Sequence, residues 1–82
     1  MTARPVKRSL TLQGHRTSVS LEEAFWQAFR EIAAEQSKPI NALAAEIDAS
    51  REEDIGLASA IRLYVLAHYR AQATVRPQPP SP

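Results

Sequence analysis

Two short runs near the N-terminus, residues 7–13 and 15–20, alternate between polar and apolar side chains. Successive side chains of an extended strand point to opposite faces, so this period of two predicts β structure. Gly14 separates the runs and tolerates the positive φ of a tight turn, so the predicted strands can pair as a hairpin about residues 13–14. That register keeps the polar and apolar faces consistent. It pairs Ser9 with Ser18 and Leu10 with Thr17.

Beyond the alternating runs, apolar positions repeat with helical spacing in three segments: about residues 21–35, 39–50 and 57–72. Ser20 stands three residues before Glu23, the spacing of a capping box, and predicts the start of the first helix. Pro39 ends that helix, because the residue before a proline avoids helical geometry, and proline suits the first position of the next helix. The third helix carries apolar side chains on several faces, which indicates burial on more than one side, as at a subunit interface.

The two ends of the chain lack this periodicity. Residues 1–6 are predicted to be a flexible basic arm, and residues 74–82, rich in proline, a disordered tail. Residues 7–73 form the predicted domain, which is mainly α with a short N-terminal β ribbon. The predicted core and dimer contacts are Val19, Leu21, Phe25, Trp26, Phe29, Ile32, Ile40, Leu43, Ile47, Ile61 and Val65.

The size and composition of the chain limit how it can be stabilised. A chain of 82 residues is near the lower limit at which one domain buries enough surface to fold alone. It contains no cysteine, which excludes disulfides and thiolate metal sites, and His15 and His68 lack any ligand spacing. No metal or cofactor is therefore expected, and oligomerisation is the remaining source of stability.

The chain shows no sign of a membrane or secretory segment. No apolar run approaches the ~18 residues that a spanning helix needs, and the basic N-terminus has no apolar stretch of the signal-peptide kind. A cytoplasmic protein of bacterial type is the default expectation.

Charge is unevenly distributed although the net charge is only +1. Residues 1–21 contain four basic residues and no acid, whereas residues 22–54 contain all nine acids and three basic residues. Residues 55–82 add three arginines. Such asymmetry indicates a local basic surface, the alternative being an ordinary mixed surface.

A short polar strand, a tight helix start and two amphipathic helices together resemble the ribbon-helix-helix family, the Arc- and Met-repressor type. The similar part is "HRTSVSLEEAFWQAFREIAAEQSKPINALAAEI", and "INALAAEID" with "LASAIRLYVL" is similar to a bacterial subgroup of mostly unknown role. In that family two protomers pair their strands into an antiparallel ribbon that lies in the major groove of DNA. The resemblance implies an obligate homodimer, here with an additional C-terminal helix.

The resemblance also implies which residues contact DNA. The outward strand positions Arg16, Ser18 and Ser20 would contact bases, and an arginine can bind guanine O6 and N7 together. Thr17, Val19 and Leu21 would face the helices. The phosphate contacts would be Lys7, Arg8 and Lys38, with Arg4 beside them, and the backbone amides of Ile40 and Asn41 at the start of the second helix.

Three features depart from the family pattern. Capping of a helix by Ser20 would remove one base-contacting residue, and Pro39 offers no N–H to a phosphate. If residues 7–13 flank the ribbon, a dimer has a four-stranded sheet, which is wider than a major groove of ~12 Å. Either residues 1–13 are a flexible basic arm along the phosphates, or the sheet is not used on DNA in the usual way.

The leading hypothesis is a homodimeric, sequence-specific DNA-binding regulator, either a transcriptional repressor or an antitoxin with a toxin as protein partner. The alternative is a dimeric protein-interaction module that keeps the fold without binding DNA, which the acidic segment and the extra strand favour. An enzyme is not expected, because the chain has no cysteine nucleophile, no glycine-rich phosphate loop and no Ser/His/Asp arrangement.

Overall fold

The computed structural model describes residues 4–75, where two strands precede three helices. The elements are β1 (Val6–Leu12), β2 (His15–Leu21), α1 (Glu23–Glu35), α2 (Ile40–Ser50) and α3 (Leu57–Val75). The predicted fold class, mainly α with an N-terminal β ribbon and a third helix, is confirmed. Residues 1–3 of the predicted arm and 76–82 of the predicted tail lie outside the described residues, whereas residues 74 and 75 belong to α3.

The two strands form an antiparallel hairpin, here called the ribbon. Gln13 and Gly14 both have positive φ, 51° and 86°, as the two central residues of a type I′ turn require. The register pairs Ser9 with Ser18 and Leu10 with Thr17, as predicted. One boundary differs, because Val6 pairs with Leu21 and so belongs to β1 rather than to an arm. Residues 7–12 are likewise strand, so the hypothesis of a flexible arm over residues 1–13 is wrong for this part.

The core lies between the inner face of the ribbon and the three helices. Its buried side chains are Leu10, Leu12, Val19, Leu21, Trp26, Phe29, Ile32, Ala33, Leu43, Ala44, Ile47, Ile61 and Val65. Phe25 and Ile40, also predicted for the core, are partly buried and pack against it. Thr17, predicted to face the helices, is exposed on β2, although Leu10, its partner on β1, is buried. Full burial of a side chain such as Phe29 stabilises the fold by about 2–3 kcal/mol.

The helix starts differ from those predicted. Ser20 does not cap α1, because it continues β2 opposite Lys7, and Glu22 is the N-cap without a side-chain hydrogen bond. The pairing of Leu21 with Val6 extends the strand and takes precedence over the local capping pattern. Pro39 is the N-cap of α2 rather than its first residue, and its carbonyl accepts hydrogen bonds from the amides one turn later, those of residues 42 and 43.

Candidate nucleic-acid interface

The outer face of the ribbon points away from the core and is entirely polar. Strand alternation and the register bring six exposed side chains to this face: Lys7, Ser9 and Thr11 from β1, and Arg16, Ser18 and Ser20 from β2. None of the six is acidic or apolar, and neither strand contains an acid. The structure therefore places the three predicted base-contacting residues together on one exposed surface.

Lys7 and Arg16 have no ion-pair or hydrogen-bond partner among residues 4–75. Four other cations of the described chain are paired: Arg8 with Glu23, Lys38 with Glu46, Arg51 with Asp48 and Arg62 with Glu22. Lys7 lies opposite Ser20, four residues along β2 from Arg16, so the two unpaired cations are about 14 Å apart along the ribbon. Each end of the outer face thus carries one positive charge that is available to a ligand.

Arg8 points to the other face of the ribbon. Its guanidinium contacts the Glu23 carboxylate and lies 4.9 Å from the centroid of the Trp26 ring, while its buried Nε has no hydrogen-bond partner. A hydrogen bond from Gln27, and secondly the charge of Arg8, hold the pKa of Glu23 below its usual value. These contacts hold the guanidinium against α1, so the structure does not bring Arg8 to the outer face with Lys7 and Arg16.

The start of α2 lies beside the β1 edge of the ribbon. Asn41 Oδ1 accepts a hydrogen bond of 3.1 Å from the backbone N–H of Thr11. The backbone N–H groups of Ile40 and Asn41, the first two of the helix, donate no hydrogen bond within the described residues, as expected for a helix N-terminus. Lys38 lies just before the helix and bonds Glu46 at 2.8 Å on the surface, where an ion pair is weak. Of the predicted phosphate contacts, Lys38, Ile40 and Asn41 therefore lie at this end of α2.

The β2 edge of the ribbon is open. Residue pairs of an antiparallel ribbon alternately turn their backbone groups inward and outward. Because the N–H of Thr11 points outward to Asn41, its partner Arg16 also turns its backbone groups outward, as does Ser18. Within the described chain no hydrogen bond engages these groups, whereas the Ser20 carbonyl accepts one of 3.1 Å from Arg62.

A groove of about 780 Å³ follows this edge, between β2 and the helices. Its far wall is the end of α2 and the beginning of α3, including Asp48, Arg51 and Leu57. Farther along α3, Leu63 and Leu66 are 55% and 50% exposed. The open strand edge and these two leucines are surfaces that a single chain leaves uncovered.

Other candidate residues have structural surroundings. Trp26 is buried and packs near Phe29, with ring centroids 6.1 Å apart. His68 Nε2 lies 3.3 Å from a carboxylate oxygen of Glu35, and His15 is exposed beside the turn. Among residues 4–75 no three histidine, cysteine or acidic side chains cluster as a metal site would need. No helix of that same part is long and apolar enough to cross a membrane.

Sequence reasoning missed two residues of this surface and one contact beside it. Ser9 and Thr11 share the outer face with the predicted residues, and the alternation of β1 carried the signal for both. The hydrogen bond of Asn41 to β1 joins residues 30 apart in the sequence, so no local pattern indicated it.

Comparison with known proteins gives one match. A family model described as a ribbon-helix-helix domain matches residues 5–69. No curated protein matches the chain, and no solved structure does. The matched span includes both strands, α1, α2 and most of α3. The extra strand and most of the third helix are therefore inside the domain that the family model describes.

Proposed function

The chain belongs to the ribbon-helix-helix domain family, and from that premise we propose that it is a sequence-specific DNA-binding regulator acting as a homodimer. Domains of this family are typical of DNA-binding regulators that place a β ribbon in the major groove. The regulator is a repressor or an antitoxin, and it acts in the cytoplasm of a bacterial cell.

The observation that carries this proposal is the outer face of the ribbon, which is wholly polar, free of acids and supplied with two unpaired cations. Arg16 has the fork geometry that binds guanine O6 and N7, and the hydroxyls of Ser18 and Ser20 can donate to or accept from base edges. Because Ser20 is a strand residue and not a helix cap, its hydroxyl is available for this role.

Phosphate contacts come from the beginning of α2. The free amides of Ile40 and Asn41 and the positive end of the helix dipole favour an anion, and Lys38 is close enough in sequence to assist once it leaves Glu46. Asn41 fixes this helix end to the ribbon, so phosphate binding would position the ribbon in the groove. Arg8 is not part of the proposed interface because its guanidinium is held by Glu23 and Trp26.

Dimerisation is proposed because one chain leaves apolar and backbone groups uncovered. Leu63 and Leu66 are half exposed on α3, and the β2 edge offers unpaired backbone groups. The same two leucines favour the second candidate function, a dimeric protein-interaction module without DNA binding. Salt separates the two candidates, because binding to phosphates weakens steeply as salt rises whereas an apolar contact does not.

The test combines the mass of the full chain in solution with titration of random duplex DNA at low and moderate salt. A dimer with steeply salt-dependent affinity supports the proposal, and a dimer that ignores DNA supports the interaction module. Arg16→Ala should weaken binding to a selected site by about 1–3 kcal/mol and relax its specificity. Arg30→Ala, which removes an exposed cation from α1, is the matched control and should leave specificity unchanged. If Arg16→Ala bound the site as well as the wild type, Arg16 would not read a base.

A further inference from the structure

The hairpin register reveals that β1 and β2 present the same series of side chains. The outer face of β1 carries Lys7, Ser9 and Thr11, and that of β2 carries Arg16, Ser18 and Ser20. Each series is a cation, a serine and a second hydroxyl in the same order along the chain. The buried positions correspond as well, Leu10 with Val19 and Leu12 with Leu21. The ribbon therefore contains a repeat with an offset of nine residues.

Antiparallel pairing turns this repeat into a symmetric surface. Ser9 faces Ser18 at the centre, Lys7 faces Ser20 at one end, and Thr11 faces Arg16 at the other. A half-turn about an axis through the central serine pair exchanges the strands and places each cation on the position of the other. One chain thus builds a face with the approximate two-fold symmetry that a ribbon shared by two chains would have.

We infer that the hairpin of a single chain is a complete two-stranded reading element for the major groove of duplex DNA. In it Lys7, Ser9 and Thr11 contact base edges as Arg16, Ser18 and Ser20 do. This inference rests on the proposed function and assigns Lys7 to a base rather than to a phosphate. The chemistry is suitable, because lysine and arginine both bind guanine O6 and N7, and hydroxyls suit several base edges.

The dimensions of the groove favour one hairpin over two joined side by side. Two strands are ~4.8 Å apart and leave room for side chains in a groove of ~12 Å. Four strands would separate the outermost strand axes by about 14 Å before side chains are counted. The start of α2, held to the β1 edge by Asn41, flanks the hairpin where the bordering phosphates would lie. In a dimer joined through the exposed leucines of α3, and not by pairing of the two β2 edges, each hairpin would therefore enter a separate stretch of groove.

The test is selection of preferred sites from a randomised duplex library by the full chain and its variants. Wild type should select half-sites with guanines at two symmetry-related positions on opposite strands. Lys7→Ala and Arg16→Ala should each relax one of these positions, on the order of 10-fold in discrimination. The double variant Lys7→Arg with Arg16→Lys keeps charge and composition. If the wild type discriminates more strongly at one guanine position than at the other, this variant should exchange the two preferences. Arg30→Ala should select the wild-type site.

Two results would overturn the inference, and they differ in what else they affect. Lys7 contacts a phosphate if Lys7→Ala weakens binding to all sequences equally and the double variant selects the wild-type site without exchanging its two base preferences. The proposed function then stands with β2 as the only reading strand. If the wild-type chain binds no duplex at low salt, the proposed function fails and the inference fails with it. Because the three substituted side chains, those of Lys7, Arg16 and Arg30, are exposed, retained circular dichroism confirms that each variant is folded.

Discussion

Asn41 Oδ1 accepts a hydrogen bond from the backbone N–H of Thr11, and this contact of 3.1 Å joins the first turn of α2 to the outer edge of β1. It satisfies a strand N–H that has no partner within the hairpin. It also engages a backbone group of the β1 edge, whereas the backbone groups of Arg16 and Ser18 at the β2 edge have no hydrogen bond within the described chain. The helix end proposed to bind phosphate and the strands proposed to read bases are thereby held in one fixed relation.

Asn41→Ala removes the acceptor and should lower the free energy of unfolding by about 1 kcal/mol. Asn41→Asp keeps an acceptor oxygen and should preserve stability, but its negative charge lies where a phosphate is proposed to bind. Denaturant unfolding and duplex titration of both variants measure the two effects separately. Equal duplex affinities for Asn41→Asp and the wild type would argue against a phosphate at this helix end.

The turn of the hairpin can be improved by one substitution. Gln13 adopts a φ of 51°, which asparagine tolerates better, and Asn-Gly is the preferred type I′ pair. Gln13→Asn should therefore stabilise the fold by up to about 1 kcal/mol, measured by denaturant unfolding. Gly14→Ala should destabilise it by about 1–2 kcal/mol, although nothing lies within 4 Å of the added Cβ, because the penalty belongs to the backbone at φ 86°. A neutral Gly14→Ala would contradict the turn type.

These results show which features the sequence could predict. The period of two and the glycine at position 14 determined the hairpin and its register, and the apolar spacing located the three helices, because those signals are local. Capping by Ser20 was mispredicted because a strand pair between residues 15 apart, Val6 and Leu21, extends β2 past it. The inward position of Arg8 could not be predicted either, since it depends on Glu23 and Trp26 of a helix that packs beneath the ribbon.

Arg62 connects three elements, and its contribution should depend on pH. Its guanidinium bonds the Glu22 carboxylate at 2.9 Å and the Ser20 carbonyl at 3.1 Å. The hydrogen bond from Arg62 is the main reason that the pKa of Glu22 lies below its ordinary value of 4.5. A carboxyl with a depressed folded-state pKa stabilises the fold above the unfolded value, and this stabilisation disappears as the pH falls through the folded value.

Arg62→Ala should therefore lower the thermal unfolding midpoint at pH 7, and the difference from wild type should narrow below about pH 4.5. Arg62→Lys keeps the charge but loses the fork that spans both acceptors, so its midpoint should be intermediate. Calorimetric scans from about pH 3 to pH 7, which span the ordinary pKa of a carboxyl group, provide the measurement. A difference between Arg62→Ala and wild type that stays constant over this range would show that the ion pair with Glu22 does not contribute.

The exposed leucines of α3 should stabilise the homodimer. Leu63, Leu66, Ala67 and Arg70 follow a spacing of three and four residues, so they form one stripe along the helix. Leu66→Lys places a charge within this stripe and should convert the dimer to a monomer while helical circular dichroism is retained. Ala34→Lys introduces the same charge at an exposed position in α1, and this variant should keep the molecular mass of a dimer. Light scattering measures the molecular mass of each variant and so distinguishes a monomer from a dimer. A dimer for both variants would exclude the stripe from the interface.

Lys7 and Arg8 are neighbouring cations on opposite faces of the ribbon, and substituting each one tests which face binds DNA. Lys7 is on the outer face without a partner, whereas Arg8 is on the inner face against Glu23 and Trp26. Methionine at either position removes one charge and keeps an unbranched apolar chain. Lys7→Met should weaken binding to a selected duplex several-fold with little change in stability. Arg8→Met should leave duplex affinity nearly unchanged, because the lost charge does not face the groove.

The fluorescence of the folded protein should respond in the opposite way, with a change for Arg8→Met and none for Lys7→Met. Arg8→Met removes the contact to the single tryptophan of the chain, so the emission of Trp26 should change while that of Lys7→Met stays as in wild type. Stability of Arg8→Met should remain within about 1 kcal/mol of wild type, since loss of the ion pair is offset by removal of a buried Nε that has no hydrogen bond. An Arg8→Met variant that loses as much duplex affinity as Lys7→Met would mean that Arg8 leaves Glu23 to bind DNA, and that the inner face opens in the complex.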